Sequence, residues 1–325
     1  MIISRTPLRI SLMGGGSDLP AYYRLRPGAV INTTFDKYIY ITVNRSFSDH
    51  VRASYSRTEI VPTADDVQHP LIREALRLTG VHSGVEITGI AGIPSRGTGL
   101  GSSSAYLVGL LNALWAYQGV FTSNRRLAEA ACHIELEVLG EPAGKQDQYI
   151  AAYGGLQLMR FNADETVFVD PVICRKETKQ ALESHLMLFY TGITRSASKI
   201  LKKQGEETGD KQAALARMVE AVDEVDAVLR SNRELLRLGE LLHDAWQIKR
   251  ELTSGITNPK IDQMYEAARQ AGALGGKITG AGGGGFMLLF VEPHNQQRVR
   301  QALQPLNDYQ VRLEPQGSKI IYIEE

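Results

Sequence analysis

The sequence predicts an α/β protein, and three observations carry that expectation. Strand-like segments (Ile2–Leu12, Gly84–Thr88, Leu186–Tyr190, Phe286–Val291) alternate with stretches whose apolar residues recur at helical spacing. At 325 residues the chain is long enough for two compact domains with cores of their own. Glycine-rich joints link strand to helix, and the densest is Pro94–Ala105, P-S-R-G-T-G-L-G-S-S-S-A.

Ile2–Leu12 alternates as a strand, interrupted near its start by Pro7, and runs into Met13-Gly14-Gly15-Gly16-Ser17-Asp18-Leu19-Pro20. A triple glycine directly after a strand marks a sharp turn or close backbone approach to a ligand. Arg9 and Asp18 flank it, so opposite charges can line one pocket. Ala29–Val43 reads as two β segments around Asp36-Lys37, and His69–Leu78 as a short helix ended by Gly80. The strand Gly84–Thr88, the glycine loop and a helix to about Gln118 follow. Thr122-Ser123-Asn124 offers an N-cap to a helix over Leu127–Leu139, which carries His133, Glu135 and Glu137 and stops at Gly140. Next comes a dense polar stretch, Gly144-Lys145-Gln146-Asp147-Gln148-Tyr149.

Leu156–Val172 and Leu186–Tyr190 are strand-like, and Thr191–Ser196 is a turn that opens a helix. Arg195 beside Ser196 reads equally well as a secondary anion site and as an ordinary helix cap. Two helices lie between Gly209 and Ser254, the first with a core stripe of Leu215, Met218, Val219, Val222, Val225 and Leu229. A third spans about Asn258–Ala271. Gly280, Gly282 and Gly285 then fit G-x-G-x-x-G, but the strand Phe286–Val291 follows where a dinucleotide site needs a helix. A second backbone-rich wall is what remains. A helix over Gln296–Leu303 and strands at Tyr309–Pro315 and Ile320–Ile323 close the chain.

The central loop is built for an anion. Gly97, Gly99 and Gly101 let the backbone turn tightly, and Ser102, Ser103 and Ser104 open the helix whose free N–H groups and dipole favour phosphate. A Walker A loop would have Lys where Ser102 stands. The alternative of a merely flexible Gly/Ser loop fits poorly between a strand and a helix. Charge is balanced, with 36 Lys+Arg against 36 Asp+Glu, so no overall field favours nucleic acid or an anionic membrane. The absence of a long apolar run or a signal-like start leads us to expect a soluble cytoplasmic protein. Two cysteines without C-x-x-C argue against a disulfide framework or a zinc site.

Three motifs in this order resemble the GHMP kinase superfamily over nearly the whole chain: Pro7-x-Arg9-Ile10-x-Leu12-x-Gly14, Pro94-x-x-x-x-Gly99-Leu100-Gly101-Ser102-Ser103 and Gly280-Ala281-Gly282-Gly283-Gly284. Arg5–Pro20 and Gly144–Tyr149 resemble the sugar-kinase branch that holds heptose 7-phosphate kinases and fucokinase-like domains. Gly15 and Gly16 replace the acidic and histidine residues of galactokinases, which argues against galactose. The resemblance implies a mixed-sheet N-terminal ATP-binding domain (1–180) and a ferredoxin-like C-terminal domain (181–325).

It also implies ATP over Gly97, Gly99, Leu100, Gly101 and Ser102–Ser104, with Mg²⁺ on Ser103 and Glu135; Glu137 is the rival for the second role. Asp147 matches the carboxylate that takes the acceptor proton, Arg9 its basic partner, and Asp18 a ligand of sugar hydroxyls. Gly16, Ser17, Gly280, Gly282 and Gly283 complete the expected acceptor wall, and Lys145 and Arg195 are the expected cations for an acceptor phosphate. The implied reaction is ATP-dependent phosphorylation of the anomeric hydroxyl of a heptose 7-phosphate, on the way to GDP-heptose for surface polysaccharide. A sugar 1-kinase for a free sugar such as L-fucose is the alternative. A non-catalytic sensor would be expected to have lost Asp147, Arg9 or Glu135, and all three are present. A homo-oligomer is left open.

Overall fold

The first strand, β1 (Ile2–Met13), alternates in burial only to Arg5; from Thr6 onward every residue is buried. Such a run fits a strand covered on both faces rather than one facing water. It pairs antiparallel along its length with β2 (Gly28–Arg45), after a short helix α1 (Pro20–Tyr23). The computed structural model describes residues 1–93, 97–194, 197–231 and 234–324.

The expected break at Asp36-Lys37 is a bulge inside one 18-residue strand: the register passes from Pro7↔Tyr38 to Leu8↔Phe35. The short strands β3 (Val51–Ser54) and β4 (Thr58–Val61) went unread in the sequence because four residues carry too little alternation. Helix α2 (Pro70–Thr79) ends at Gly80 in the left-handed conformation, and β5 (Val85–Ala91) leads toward the glycine loop. Helices α3 (Ser102–Tyr117) and α4 (Asn124–Cys132) follow, the latter capped by Ser123 Oγ on the Arg126 amide. The polar stretch after Gly144 is itself a helix, α5 (Gln146–Tyr153).

Leu156–Val172 resolves into a hairpin, β6 (Leu156–Phe161) and β7 (Val167–Pro171). Together these strands and β12 (Lys319–Ile323) make an eight-stranded mixed sheet along β12-β1-β2-β5-β3-β4, with β6 and β7 branching from the other half of β2. Among the described residues, only β3 and β5 run parallel.

After α6 (Lys176–His185), β8 (Leu186–Tyr190) begins a second sheet. Helices α7 (Ala197–Glu207), α8 (Gln212–Ser231), α9 (Leu236–Arg250) and α10 (Pro259–Gln270) precede β9 (Ala273–Ile278) and β10 (Phe286–Val291). Then α11 (Gln296–Ala302) and β11 (Asp308–Gln310) complete the antiparallel order β11-β8-β10-β9, the ferredoxin-like order the sequence led us to expect. The expected strand Tyr309–Pro315 is cut to three residues. Beyond it the chain leaves this sheet, and its last strand, β12, pairs with β1 in the first. Helices α3, α8 and α9 all pack on β1, so its Arg9 end lies where the two halves meet.

Candidate active site

The site is a cleft of about 1270 Å³, large enough for a nucleotide and a sugar together. Its floor is the glycine loop opening α3. Gly97, Gly99 and Gly101 all take left-handed φ values near +72° (71, 73 and 73), which residues with a Cβ adopt only at a cost. At Gly99 there is also no room, because a Cβ would stand 2.4 Å from the Thr279 carbonyl oxygen. Phe286 donates its amide to the Thr98 carbonyl at 3.1 Å, so the second glycine segment clamps the loop in place. Pro94–Arg96 lie outside the described residues.

Above the start of α3, Glu135 accepts hydrogen bonds from Ser103 Oγ (3.2 Å), Ser104 Oγ (2.7 Å) and Gln148 Nε2 (2.5 Å). It is delivered by a wide π turn over His133–Val138, in which Leu139 N bonds Ile134 O five residues back. The sequence expected an unbroken α-helix here. Burial pushes the Glu135 carboxyl up to about 7, against the pull of those hydrogen bonds and with a small push from Asp147. Its rival Glu137 is exposed and paired with His133 at 2.7 Å.

Asp147, in the first turn of α5, is 24% exposed and held bidentately by Arg9: Nε to Oδ1 and Nη2 to Oδ2, both 2.8 Å. Arg9 is buried, and its Nη1 donates to the Gly99 carbonyl, tying β1, α5 and the phosphate loop at one residue. Asp18 is buried beside them. Its Oδ1 accepts from the Gly16 amide (2.9 Å) and its Oδ2 from Gln146 Nε2 (2.9 Å). Burial raises its pKa, and the nearby Asp147 charge adds to the rise. Gly144 makes that approach feasible, since a Cβ there would fall 1.9 Å from Asp18 Oδ2.

Arg9, Asp18, Gly16, Gly97, Gly99, Gly101, Ser102, Ser103, Ser104, Glu135, Asp147 and Gly280 therefore all face one cleft. Several expected residues do not. Ser17 is buried beneath its turn, its hydroxyl bonded to the carbonyls of Gly14 and Ala29. Leu100 is also buried, and its carbonyl accepts from Arg9 N at 3.1 Å. Gly282 and Gly283 pack on the Ile256 backbone behind the cleft wall. Lys145 turns away from the cleft altogether: its ammonium bonds Glu165 Oε2 at 2.6 Å and lies over the Tyr23 ring. The Glu165 carboxylate also accepts from Tyr23 and Arg24, and this attraction outweighs burial to hold it near 2. Arg195 and Ser196 lie outside the described residues.

The cleft contains groups that local sequence did not mark. Lys249 reaches it from α9, donating to the Gly280 carbonyl at 2.5 Å. Behind it Lys277 donates to the Leu12 carbonyl (2.9 Å), and burial first, then Lys249 and Arg9, hold it well below the usual ammonium range. At the other end Tyr55, His69 and Tyr106 form an aromatic wall beside Gly89 and Ile90, with the His69 ring 4.6 Å from Tyr55 and 5.8 Å from Tyr106. These residues sit in unrelated stretches with no shared motif. Only the polar run at Gly144–Gln148 carried a signal, and it yielded Gln148 and Gln146 once folded.

Two family signatures match the chain, "GHMP kinases N terminal domain" over residues 68–155 and "GHMP kinases C terminal" over residues 218–307. The chain belongs to the GHMP kinase family. It is a sugar kinase of that family, whose phosphate donor is ATP. Among curated relatives it is similar to the D-glycero-alpha-D-manno-heptose 7-phosphate kinase of Campylobacter jejuni, 29% identical over 95% of this chain and 94% of that one. It is also 26% identical to the Bacteroides fragilis L-fucokinase/L-fucose-1-P guanylyltransferase over 93% of its own length but only 36% of that protein. The fold superposes on a D-glycero-D-manno-heptose 1-phosphate kinase from Bacteriodes thetaiotaomicron with a TM-score of 0.83 over both full chains, at 23% identity.

Proposed function

We propose that this GHMP kinase transfers the γ-phosphoryl group of ATP to the anomeric hydroxyl of D-glycero-D-manno-heptose 7-phosphate, giving the 1,7-bisphosphate. The observation that supports this most is the Arg9–Asp147 pair, set against the phosphate loop and beside the glycine turn that holds Asp18. Phosphoryl transfer needs in-line positioning and charge stabilisation more than covalent help. Asp147 orients the hydroxyl and takes its proton, a role worth about 10²–10⁴-fold. Arg9 fixes the carboxylate's direction and offsets the charge that develops beside it. The α3 N-terminal amides and the Ser102 hydroxyl hold the phosphates, while Ser103 and Ser104 turn their hydroxyls to Glu135.

Glu135 and Ser103 would hold Mg²⁺. A buried carboxylate whose partners are two hydroxyls and an amide, with no basic residue among them, fits a divalent cation that keeps its other positions for phosphate and water. Held there, the ion would supply positive charge to offset the negative charge of the transferring phosphoryl group. The aromatic wall of Tyr55, His69 and Tyr106 would take the purine, and Lys249, rather than Lys145, would be a cleft cation for an acceptor phosphate.

A free sugar such as L-fucose is the second reading, favoured by the capture of Lys145 by Glu165 and by the fucokinase relative. A coupled ADP-release assay with Mg·ATP and a panel of heptose 7-phosphate, heptose 1-phosphate, L-fucose and D-mannose separates them. Turnover with the 7-phosphate at a far lower KM than with the free sugars supports the first reading; preference for a free sugar overturns it.

A further inference from the structure

Beside the Gly14–Asp18 turn, two buried polar atoms of the cleft have no hydrogen-bond partner among the described residues: Ser11 Oγ and Gln204 Nε2. Ser11 is 4% exposed and Gln204 3%, and both line the cleft. They reach the turn from different halves of the molecule. Ser11 comes from β1, two residues beyond Arg9 and so on the same strand face. Gln204 comes from α7. A Cβ on Gly15 would lie 3.5 Å from Ser11 Oγ, and one on Gly16 would lie 2.5 Å from Gln204 Nε2. The two glycines put no side chain against these buried atoms, and at Gly16 any Cβ would collide with the Gln204 amide.

Buried groups of this kind are rare because each gives up a hydrogen bond it had in water. Their neighbours do not supply one: Asp18 is engaged with Gly16 N and Gln146. We propose that Ser11 and Gln204 are specificity-determining residues that each bond a hydroxyl of the acceptor, an inference that rests on the reading that places the acceptor beside Asp147. Gln204 Nε2 donates and the Ser11 hydroxyl does either, so the ligand they select is a polyol with hydroxyls along the edge that faces the glycine turn. A site built in this way rejects an analogue that lacks the bonded hydroxyl, because the protein group then stays buried and unpaired.

The test uses Ser11→Ala and Gln204→Met, the latter keeping chain length while removing the amide. Each is assayed with whichever acceptor of the panel the wild type phosphorylates, and with its monodeoxy analogues. The expected result is an acceptor KM raised roughly ten- to hundredfold, an ATP KM within about twofold of wild type, and weaker discrimination against one deoxy analogue. The ligand-free melting temperature should hold or rise, since an unpaired buried group has been removed. An unchanged acceptor KM overturns the proposal. So does a fall of several degrees in ligand-free melting temperature with both KM values rising together, which would make the residues structural. Failure of heptose 7-phosphate with the wild type counts against the substrate reading alone.

Discussion

Replacing Glu135 by Gln separates what that residue does for the fold from what it does for the reaction. Its carboxyl rises from 4.5 to about 7, and at 1.36 kcal/mol per pH unit the charged form costs the folded protein about 3 kcal/mol well above pH 7. Between those two values the folded protein holds a proton that the unfolded chain has released. Stability therefore falls as pH rises through about 7, opposite to the behaviour of an ion-paired carboxylate. The neutral amide of the Glu135→Gln variant would carry no such penalty. Gln148 Oε1 is buried without a partner among the described residues, so turning that amide end for end offers an acceptor to the new NH₂ group.

Urea denaturation in metal-free buffer at about pH 5.5 and about pH 8.5 gives the stability of both proteins. The variant should gain on the wild type by about 2 kcal/mol between the two, and Mg²⁺ with nucleotide should restore the wild type alone at the higher pH. Turnover should nevertheless fall by at least about 10²-fold in the variant. A stability difference that is flat with pH, or that favours the wild type as pH rises, refutes the reasoning.

Arg9→Met leaves the Gly99 carbonyl without its donor and Asp147 without its clamp; kcat should fall about 10²–10³-fold with a smaller change in ATP KM, read by steady-state kinetics. Gly99→Ala must adopt φ +73° with its Cβ 2.4 Å from a backbone oxygen, so denaturation should show a loss of at least about 1–3 kcal/mol, and ATP KM should rise. The Glu165 carboxylate, held near 2, contributes stability that is present above about pH 4.5 and lost as pH falls toward 2. Because its side chain is 43% exposed, Glu165→Gln should cost at most about 1 kcal/mol at neutral pH and nothing in strong acid, measured by acid titration of both proteins.

Local events were legible in the chain itself. Glycines at 97, 99 and 101 ahead of three serines read as a tight turn into a helix N-terminus, and that is a matter of backbone sterics and unpaired amides within eight residues. The long periodic helices and the strands Ile2–Met13, Leu186–Tyr190 and Phe286–Val291 could be read for the same reason: their pattern repeats within the segment. Short strands β3, β4 and β9 could not, because pairing across the sheet rather than local alternation makes them strands; in β9 the two glycines erase the alternation and let α9 and β10 approach closely.

Direction came only with folding. Lys145 and Gln146 are adjacent in sequence, yet the start of α5 sends one to Glu165 and the other to Asp18. Gly280, Gly282 and Gly283 read as part of an acceptor wall, but the glycines of this segment mostly serve close packing against Gly99, Thr98, Ile256 and Ile193, holding the phosphate loop from behind. Lys249, Gln204, Ser11 and the Tyr55–His69–Tyr106 wall come from separate helices, strands and connecting segments, and no local pattern marks them. A hydrogen bond or a buried, unpaired atom is a relation between distant residues, and only the folded chain brings those residues within reach.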